Sequence, residues 1–213
     1  MSKPIRLAAT GVAEFVSSTP AQRRRILRPY KKRQSGEARG RGHYYRVALN
    51  AIRHFFNGKK DVGIITDALQ ALELRKKGPF KKRGEPAEIK HNIRVLKAFL
   101  HYYAGRDFVV VPGQKIECTI GRVEVTCNPD LWAEENAKLL LVKFFFQEKK
   151  PKTLQIPVLL HLLREAAHHA GMNPTVICLD MDGVEHKCPA DRHKMQALVA
   201  PLEKELEATW NSI

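Results

Sequence analysis

Cysteines, acidic residues and long apolar runs are all scarce in this sequence. The four cysteines, Cys118, Cys127, Cys178 and Cys188, include no C-x-x-C pair, so we expect buried reduced thiols, with a zinc site as the alternative. The first 30 residues contain no apolar stretch of signal-peptide length, and no segment has the length that a bilayer span requires. We therefore predict a cytoplasmic protein without membrane association.

The chain is long and apolar enough to fold around a substantial core. Hydrophobic residues make up 44% of its 213 residues, which suffices for one compact domain or for one domain with a helical extension. The spacing of apolar residues changes from helical to strand-like near residue 106. The sequence therefore predicts an α+β protein, with a basic helical region over residues 1–106 and a small mixed sheet with flanking helices over residues 107–213.

Charge is divided unequally between these two parts. The formal net charge is +15, and residues 1–111 carry 25 Lys and Arg against 8 Asp and Glu, whereas residues 112–213 carry 12 against 14. Such asymmetry is typical of proteins that bind a polyanion, most commonly nucleic acid. A solvated basic face or an acidic partner protein is the alternative. The predicted nucleic-acid-binding residues form two clusters, which are Arg23, Arg24, Arg25, Arg28, Lys31, Lys32, Arg33, Arg39 and Arg41, and Arg75, Lys76, Lys77, Lys81, Lys82 and Arg83.

The basic region has the apolar periodicity of helices. Helical spacing predicts helices over residues 5–16, 45–56, 64–72 and 89–103, and a basic helix that starts at Pro20 behind a capping box formed by Thr19 and Gln22. Aromatic side chains on these helices, among them His54, His101, Tyr102 and Tyr103, are candidates for stacking on bases. Aromatic residues on the apolar face of a helix belong to the core more often than to a base-binding surface.

Beyond residue 107 the pattern favours strands. Residues 108–111, Ile116–Ile120, Val123–Cys127, 139–146, 175–179 and 184–187 have strand character, and helices are predicted over residues 154–170 and 190–210. Gly121 and Arg122 predict a hairpin turn. Because residues 139–146 are apolar on both faces, this strand needs cover on both. We expect it to lie beside Val123–Cys127 and under the helix at 154–170.

Two polar residues stand out among these strands. Val123–Cys127 runs into Asn128, Pro129 and Asp130, and the buried strand that follows carries Lys143. The pattern resembles the PD-(D/E)XK signature of the restriction-endonuclease-like superfamily, over about residues 108–200. The resemblance implies a metal-dependent nuclease in which Asp130 binds Mg²⁺ or Mn²⁺ and Lys143 lies near the attacking water. The other interpretation is a turn at Pro129 and Asp130 and a strand lysine that reaches solvent.

One element of the signature is missing. The acid expected two residues before Lys143 is Leu141 in this chain, and a single Asp offers a hard cation too few oxygens. Another acid has to reach the site if it is active, and Glu117, Glu124 and Glu148 are the candidates. The sequence therefore predicts that the scaffold is retained and that the activity is lost.

Two further patterns suggest other chemistry. Asp180 and Asp182 follow an apolar strand as in the first motif of haloacid-dehalogenase-type phosphatases, but the chain after Val184 is too short for the remaining motifs, so Gly183 predicts a hairpin turn. His161, His168 and His169 lie on the predicted helix at 154–170 as a conceivable metal group. A polar helix face is the favoured interpretation of these three histidines.

Three functions remain open on the sequence alone. The first is a nucleic-acid-binding protein on an inactive nuclease-like scaffold, as a subunit of a DNA- or RNA-processing or defence complex, which needs no cofactor. The second is an active nuclease that uses Asp130 and Lys143 with Mg²⁺ or Mn²⁺. The third is an adaptor whose basic half binds an acidic protein.

Overall fold

The computed structural model describes residues 4–37, 44–79, 85–147 and 150–213, and it shows an α+β fold. The first part of the chain forms β1 (Ile5–Ala8), α1 (Ala9–Val16), α2 (Pro20–Gln34), α3 (Arg46–Asn57), α4 (Val62–Lys77) and α5 (Glu85–Tyr102). The second part forms β2 (Val109–Val110), β3 (Ile116–Ile120), β4 (Val123–Cys127), β5 (Leu131–Glu135), β6 (Lys138–Phe145), α6 (Gln155–His169), β7 (Thr175–Asp180), β8 (Glu185–Lys187), α7 (Arg192–Val199) and α8 (Leu202–Asn211).

Local signals explain where several elements begin and end. Pro20 occupies the first position of α2, and the Gln22 side chain accepts a hydrogen bond from the Thr19 N–H at 3.2 Å. Asp61 caps α4 by accepting from the Gly63 N–H at 2.8 Å. Gly121 has a φ of +55° in the turn between β3 and β4, a conformation that favours glycine.

The strands form two sheets in the described part of the chain. One has the order β1-β4-β3, with β1 parallel and β3 antiparallel to β4. The other has the order β2-β5-β6-β7-β8, in which only the β6–β7 pair is parallel. Residues 128–130 connect β4 of the first sheet to β5 of the second. The chain therefore changes sheets at the segment that carries Asp130.

Helices cover both faces of the five-stranded sheet. On one face Leu140, Val142 and Phe144 of β6 pack into a core with α3, α4 and α5. On the other face Leu141 and Phe145 pack into a second core with α1, α6 and the strands β3 and β4. The expectation that this strand is covered on both faces is therefore confirmed. Residues from both predicted regions contribute to each core. The division of the chain into two regions at residue 106 rests on charge and composition and stays a prediction.

The structure corrects three sequence-based assignments. Residues 5–8 form β1 rather than the first turns of a helix, because they pair with β4 over Ile5 to Ala8. Val123–Cys127 is not the neighbour of β6: the neighbour is β5, a strand that the sequence analysis does not predict. The last predicted helix is two helices, since Pro201 has no N–H to continue α7.

Some predicted residues lie outside the described part of the chain. They are Arg39 and Arg41 of the first basic cluster, Lys81, Lys82 and Arg83 of the second, and the candidate acid Glu148. Among the residues that are described, no helix is long and apolar enough to cross a membrane.

Candidate functional site

Asp130 lies at the start of β5 and is held by the edge of β6. Its N–H donates to the Val142 carbonyl at 2.9 Å, which extends the antiparallel ladder by one residue. Its carboxylate is buried and accepts from the Phe144 N–H at 2.9 Å and from Lys143 Nζ at 2.8 Å. Both carboxylate oxygens therefore have a partner within the protein.

Lys143 lies on the same face of β6 as Leu141 and Phe145, and its side chain reaches Asp130. Its ammonium donates to Asp130 Oδ1 at 2.8 Å and to the Asn128 carbonyl at 3.1 Å. The Lys143 side chain is 12% exposed and that of Asp130 is 8% exposed, so the pair is little screened by solvent. The two residues that the sequence analysis singled out are thus in direct contact.

The side chains around this pair do not fit a divalent cation. Leu141 is fully buried in the core beside α6 and offers no oxygen. Glu117 is exposed and pairs with Lys115 at 2.6 Å, and Glu124 pairs with Arg6 at 2.7 Å. The described residues contain no group of three or more His, Cys, Asp or Glu side chains with a metal-binding arrangement. A hard cation at Asp130 would have to displace Lys143, and among the described residues it would find no second carboxylate beside it.

A cavity of about 330 Å³ opens beside Asp130 and Lys143, and we call it the site cavity. Helix α3 lines it with Arg46, Asn50 and Arg53, and Leu159 and Leu163 of α6 form an apolar wall. Arg53 donates through Nε to the Asp130 carbonyl at 2.8 Å. Because the Asp130 charge is already paired with Lys143, the arginines give the cavity a positive lining that suits an anion.

The basic cluster on α2 divides into two faces. Arg23 bonds Glu205 of α8 at 2.7 Å, and Lys31 donates to the Trp210 carbonyl at 2.8 Å. These two residues fix α2 against the C-terminal helix. Arg24, Arg28 and Lys32 are spaced by four residues, lie on one side of the helix with Arg25, and are exposed. We call these four residues the α2 basic face, and none of their side chains has a hydrogen bond or ion pair to another described residue.

Other predicted basic residues are distributed differently. Arg33 is exposed and stacks over the Tyr30 ring, with 4.5 Å between the guanidinium carbon and the ring centroid. In the second cluster Arg75 binds the buried carboxylate of Glu85 at 2.5 Å and Lys76 lies 3.6 Å from Glu73, while Lys77 is exposed. Arg75 therefore has a structural partner of its own.

The two patterns that suggested other chemistry are structural here. Gly183, with a φ of +82°, allows the turn between β7 and β8, as predicted. Burial opposes ionisation of Asp180, but hydrogen bonds from His186 and from the N–H groups of Val184 and Asp182 outweigh it and lower the pKa of the Asp180 carboxyl. His161 is buried, and burial lowers its pKa despite the nearby Glu165.

Candidate stacking residues are also placed. Tyr103 is buried and donates its hydroxyl to the Asp180 carbonyl at 2.7 Å, which makes it part of the core. His54, His101 and Tyr102 are exposed. None of the four lines the site cavity.

Sequence reasoning missed the arginines of the site cavity. Arg46, Asn50 and Arg53 recur at four- and three-residue spacing on the polar side of α3, opposite the apolar stripe that revealed the helix. That polar periodicity was the available signal, but only the fold brings it to Asp130. No protein-family model matches the chain, and a search of curated proteins found no match either.

Proposed function

We propose that the protein binds nucleic acid on a restriction-endonuclease-like scaffold whose metal-dependent activity is lost. The observation that carries this proposal is the α2 basic face. Four cationic side chains stand together in solvent without partners among the described residues, while Arg23 and Lys31 of the same helix are used to hold α8. Exposed, uncompensated Lys and Arg on one helix face are suited to neutralise successive phosphates.

The arrangement of the core supports the scaffold part of the proposal. The antiparallel pair β5–β6 is followed by the crossover helix α6 and by β7, which is parallel to β6. Helices lie on both faces, and Asp130 and Lys143 meet at the strand ends, as in the superfamily that the sequence resembles. Leu141 and the paired state of Asp130 support the loss of activity, because they leave a hard cation without ligands.

Salt-dependent binding tests the proposal. We expect the logarithm of the affinity for a labelled oligonucleotide to fall linearly with the logarithm of salt concentration, by about 0.9 per phosphate contact on duplex DNA and about 0.7 on a single strand. Reversing two charges with Arg24→Glu and Arg28→Glu should reduce the slope by about two contacts. The matched control is Lys90→Glu with Lys97→Glu, which makes the same charge change on exposed positions of α5.

Two outcomes of this experiment would contradict the proposal. If the two double variants weaken binding equally, the binding reflects a general attraction by net charge and not the α2 basic face. Binding that is absent even at low salt would favour an adaptor for an acidic protein.

The active-nuclease alternative retains one favourable observation, which is the contact between Asp130 and Lys143. It predicts cleavage of DNA or RNA in Mg²⁺ or Mn²⁺ that disappears in both Asp130→Ala and Lys143→Ala. We expect no such cleavage from the purified chain. Cleavage lost in both variants would replace the proposed function by this alternative.

A further inference from the structure

A second cavity adjoins the site cavity. It measures about 450 Å³ and shares Arg53 and residues 128–130 with the site cavity. Beyond that segment it is lined by Lys115 and Trp132, among others. The two cavities therefore adjoin at Arg53 and the turn between β4 and β5, and together we call them the groove.

The groove is basic along its length. Arg46 lies at one end, Arg53 at the middle and Lys115 at the other end. Arg46 and Arg53 are about two helical turns, or roughly 10 Å, apart on α3. Asp130 has the single carboxylate among the lining residues that the structure describes, and it is paired with Lys143. Lys115 pairs with Glu117 only at the surface, where both side chains are about half exposed or more, at 66% and 49%, and such pairs exchange partners at little cost.

Arg53 is held ready for a ligand. Its Nε donates to the Asp130 carbonyl at 2.8 Å, which fixes the plane of the guanidinium over the turn. Its two terminal nitrogens have no hydrogen bond within the described residues. A guanidinium that is already oriented loses little rotamer freedom when it binds a phosphate.

Trp132 adds an aromatic surface to the second cavity. The side chain is half-buried, and its indole lies so close to Gly113 that a Cβ at that position would be 2.2 Å from the ring. Residue 113 therefore has to lack a side chain for the indole to keep its place. An indole beside cationic side chains is the combination with which proteins bind unpaired bases.

We propose that this groove binds single-stranded nucleic acid, with Arg46, Arg53 and Lys115 on phosphates and Trp132 against a base. The inference rests on the proposed function and names its substrate class. Each cavity has the volume of a small-ligand pocket rather than of a groove that admits a helical duplex. A duplex keeps its bases stacked inside and would reach only the rim, whereas an unpaired strand presents bases to Trp132 and phosphates to the arginines.

Binding to matched strands tests the substrate class. Fluorescence anisotropy compares an oligodeoxythymidine of about 12 nucleotides with a blunt duplex of the same length, at the same salt concentration. This length is close to the site sizes of single-strand binders. We expect the single strand to bind at least about tenfold more tightly. We expect Arg53→Ala and Arg46→Ala each to weaken single-strand binding by about tenfold, and Trp132→Leu by about fivefold or more.

Arg122→Ala is the matched control. Arg122 is an exposed arginine in the β3–β4 turn whose only described bond is from its backbone N–H to Glu203, so its loss removes one charge away from the groove and should leave the affinity nearly unchanged. Because Arg46 is exposed and has no partner among the described residues, Arg46→Ala tests the groove even if Arg53→Ala unfolds the chain.

Intrinsic fluorescence provides a separate readout. The chain has two tryptophans, and Trp210→Phe leaves Trp132 as the reporter. We expect the single strand to quench this signal and the duplex not to do so. The groove proposal would be overturned if both forms bind equally, if no quenching is seen and if the groove variants have no effect. If the α2 reversal still weakens binding in that case, the proposed function stands. Absence of binding to either form overturns both.

Discussion

Replacing Asp130 distinguishes a structural carboxylate from one kept for catalysis. Asp130→Ala removes the acceptor of the Lys143 ammonium at 2.8 Å and of the Phe144 N–H at 2.9 Å. Hydrogen bonds that involve a charged group contribute about 1.5–3 kcal/mol each. Because both side chains of the ion pair are about nine-tenths enclosed, solvent does not replace the lost partner. We expect the free energy of unfolding to fall by about 3–5 kcal/mol, the range for removing one member of a buried pair.

Urea unfolding followed by tryptophan fluorescence measures this loss. A double-mutant cycle with Lys143→Met isolates the pair, since methionine keeps the apolar stem of the lysine and removes its charge. We expect a coupling energy of about 1.5–3 kcal/mol between the two positions. Asp107→Ala serves as the control, because Asp107 pairs with Lys60 in solvent, and it should leave the urea midpoint nearly unchanged.

A small effect would refute this reasoning. Catalytic residues often lower the stability of a protein, so a variant that lacks one is often as stable as the original protein or more stable. If Asp130→Ala changes the free energy of unfolding by less than about 0.5 kcal/mol, within the range of ordinary surface substitutions, the carboxylate does not hold the fold together. The active-nuclease alternative would then gain support.

Four further predictions follow from buried groups. Native thiols should react slowly with a disulfide reagent at about pH 8, since burial raises the pKa of Cys188 to about 11 and the other three thiols are enclosed; rapid reaction without denaturant contradicts this. Burial lowers the pKa of His161, so below about pH 6.5 the unfolded chain binds a proton there more readily than the folded chain, and the urea midpoint should fall with pH, less so in His161→Gln. Tyr103→Phe should cost about 1 kcal/mol by removing the bond to the Asp180 carbonyl, and an unchanged urea midpoint would dismiss that bond. Leu141→Glu should destabilise the protein by more than about 3 kcal/mol and create no Mg²⁺-dependent cleavage, because the new carboxylate would be enclosed in the core; a stable, active variant would contradict this.

Elements with strong local signals were predictable from the sequence. The start of α2 at Pro20, the end of α3 before Gly58 and the β3–β4 hairpin all lie where their turn and cap residues indicate. Elements that depend on distant pairing were not. Ile5–Ala8 has spacing compatible with a helix, and only its parallel pairing with β4, more than a hundred residues later, makes it a strand.

The missed strand β5 has a local cause. The turn that joins it to β6 places Asn136 and Ala137 at positive φ, 54° and 58°, and alanine is not a residue from which such a turn is expected. Without a hairpin signal, the sequence does not mark Leu131–Glu135 as a strand. Its pairing with β6 is what brings Asp130 opposite Lys143, so the two residues that the sequence singles out meet through a strand that it does not predict.

Side chains alternate between the two faces of a strand, but this alternation does not show whether an acid at position 141 would reach the site. Leu141 and Lys143 are two residues apart and so lie on one face of β6. Lys143 reaches Asn128 and Asp130 just before the start of β5, beside the site cavity, whereas Leu141 pairs with Trp132 of β5 and lies under α6. A carboxylate in place of Leu141 would face the core and not the cavity. Position 141 is therefore filled by core packing against α6. The arginines around Asp130 come from α3, a helix that is not part of the strand signature.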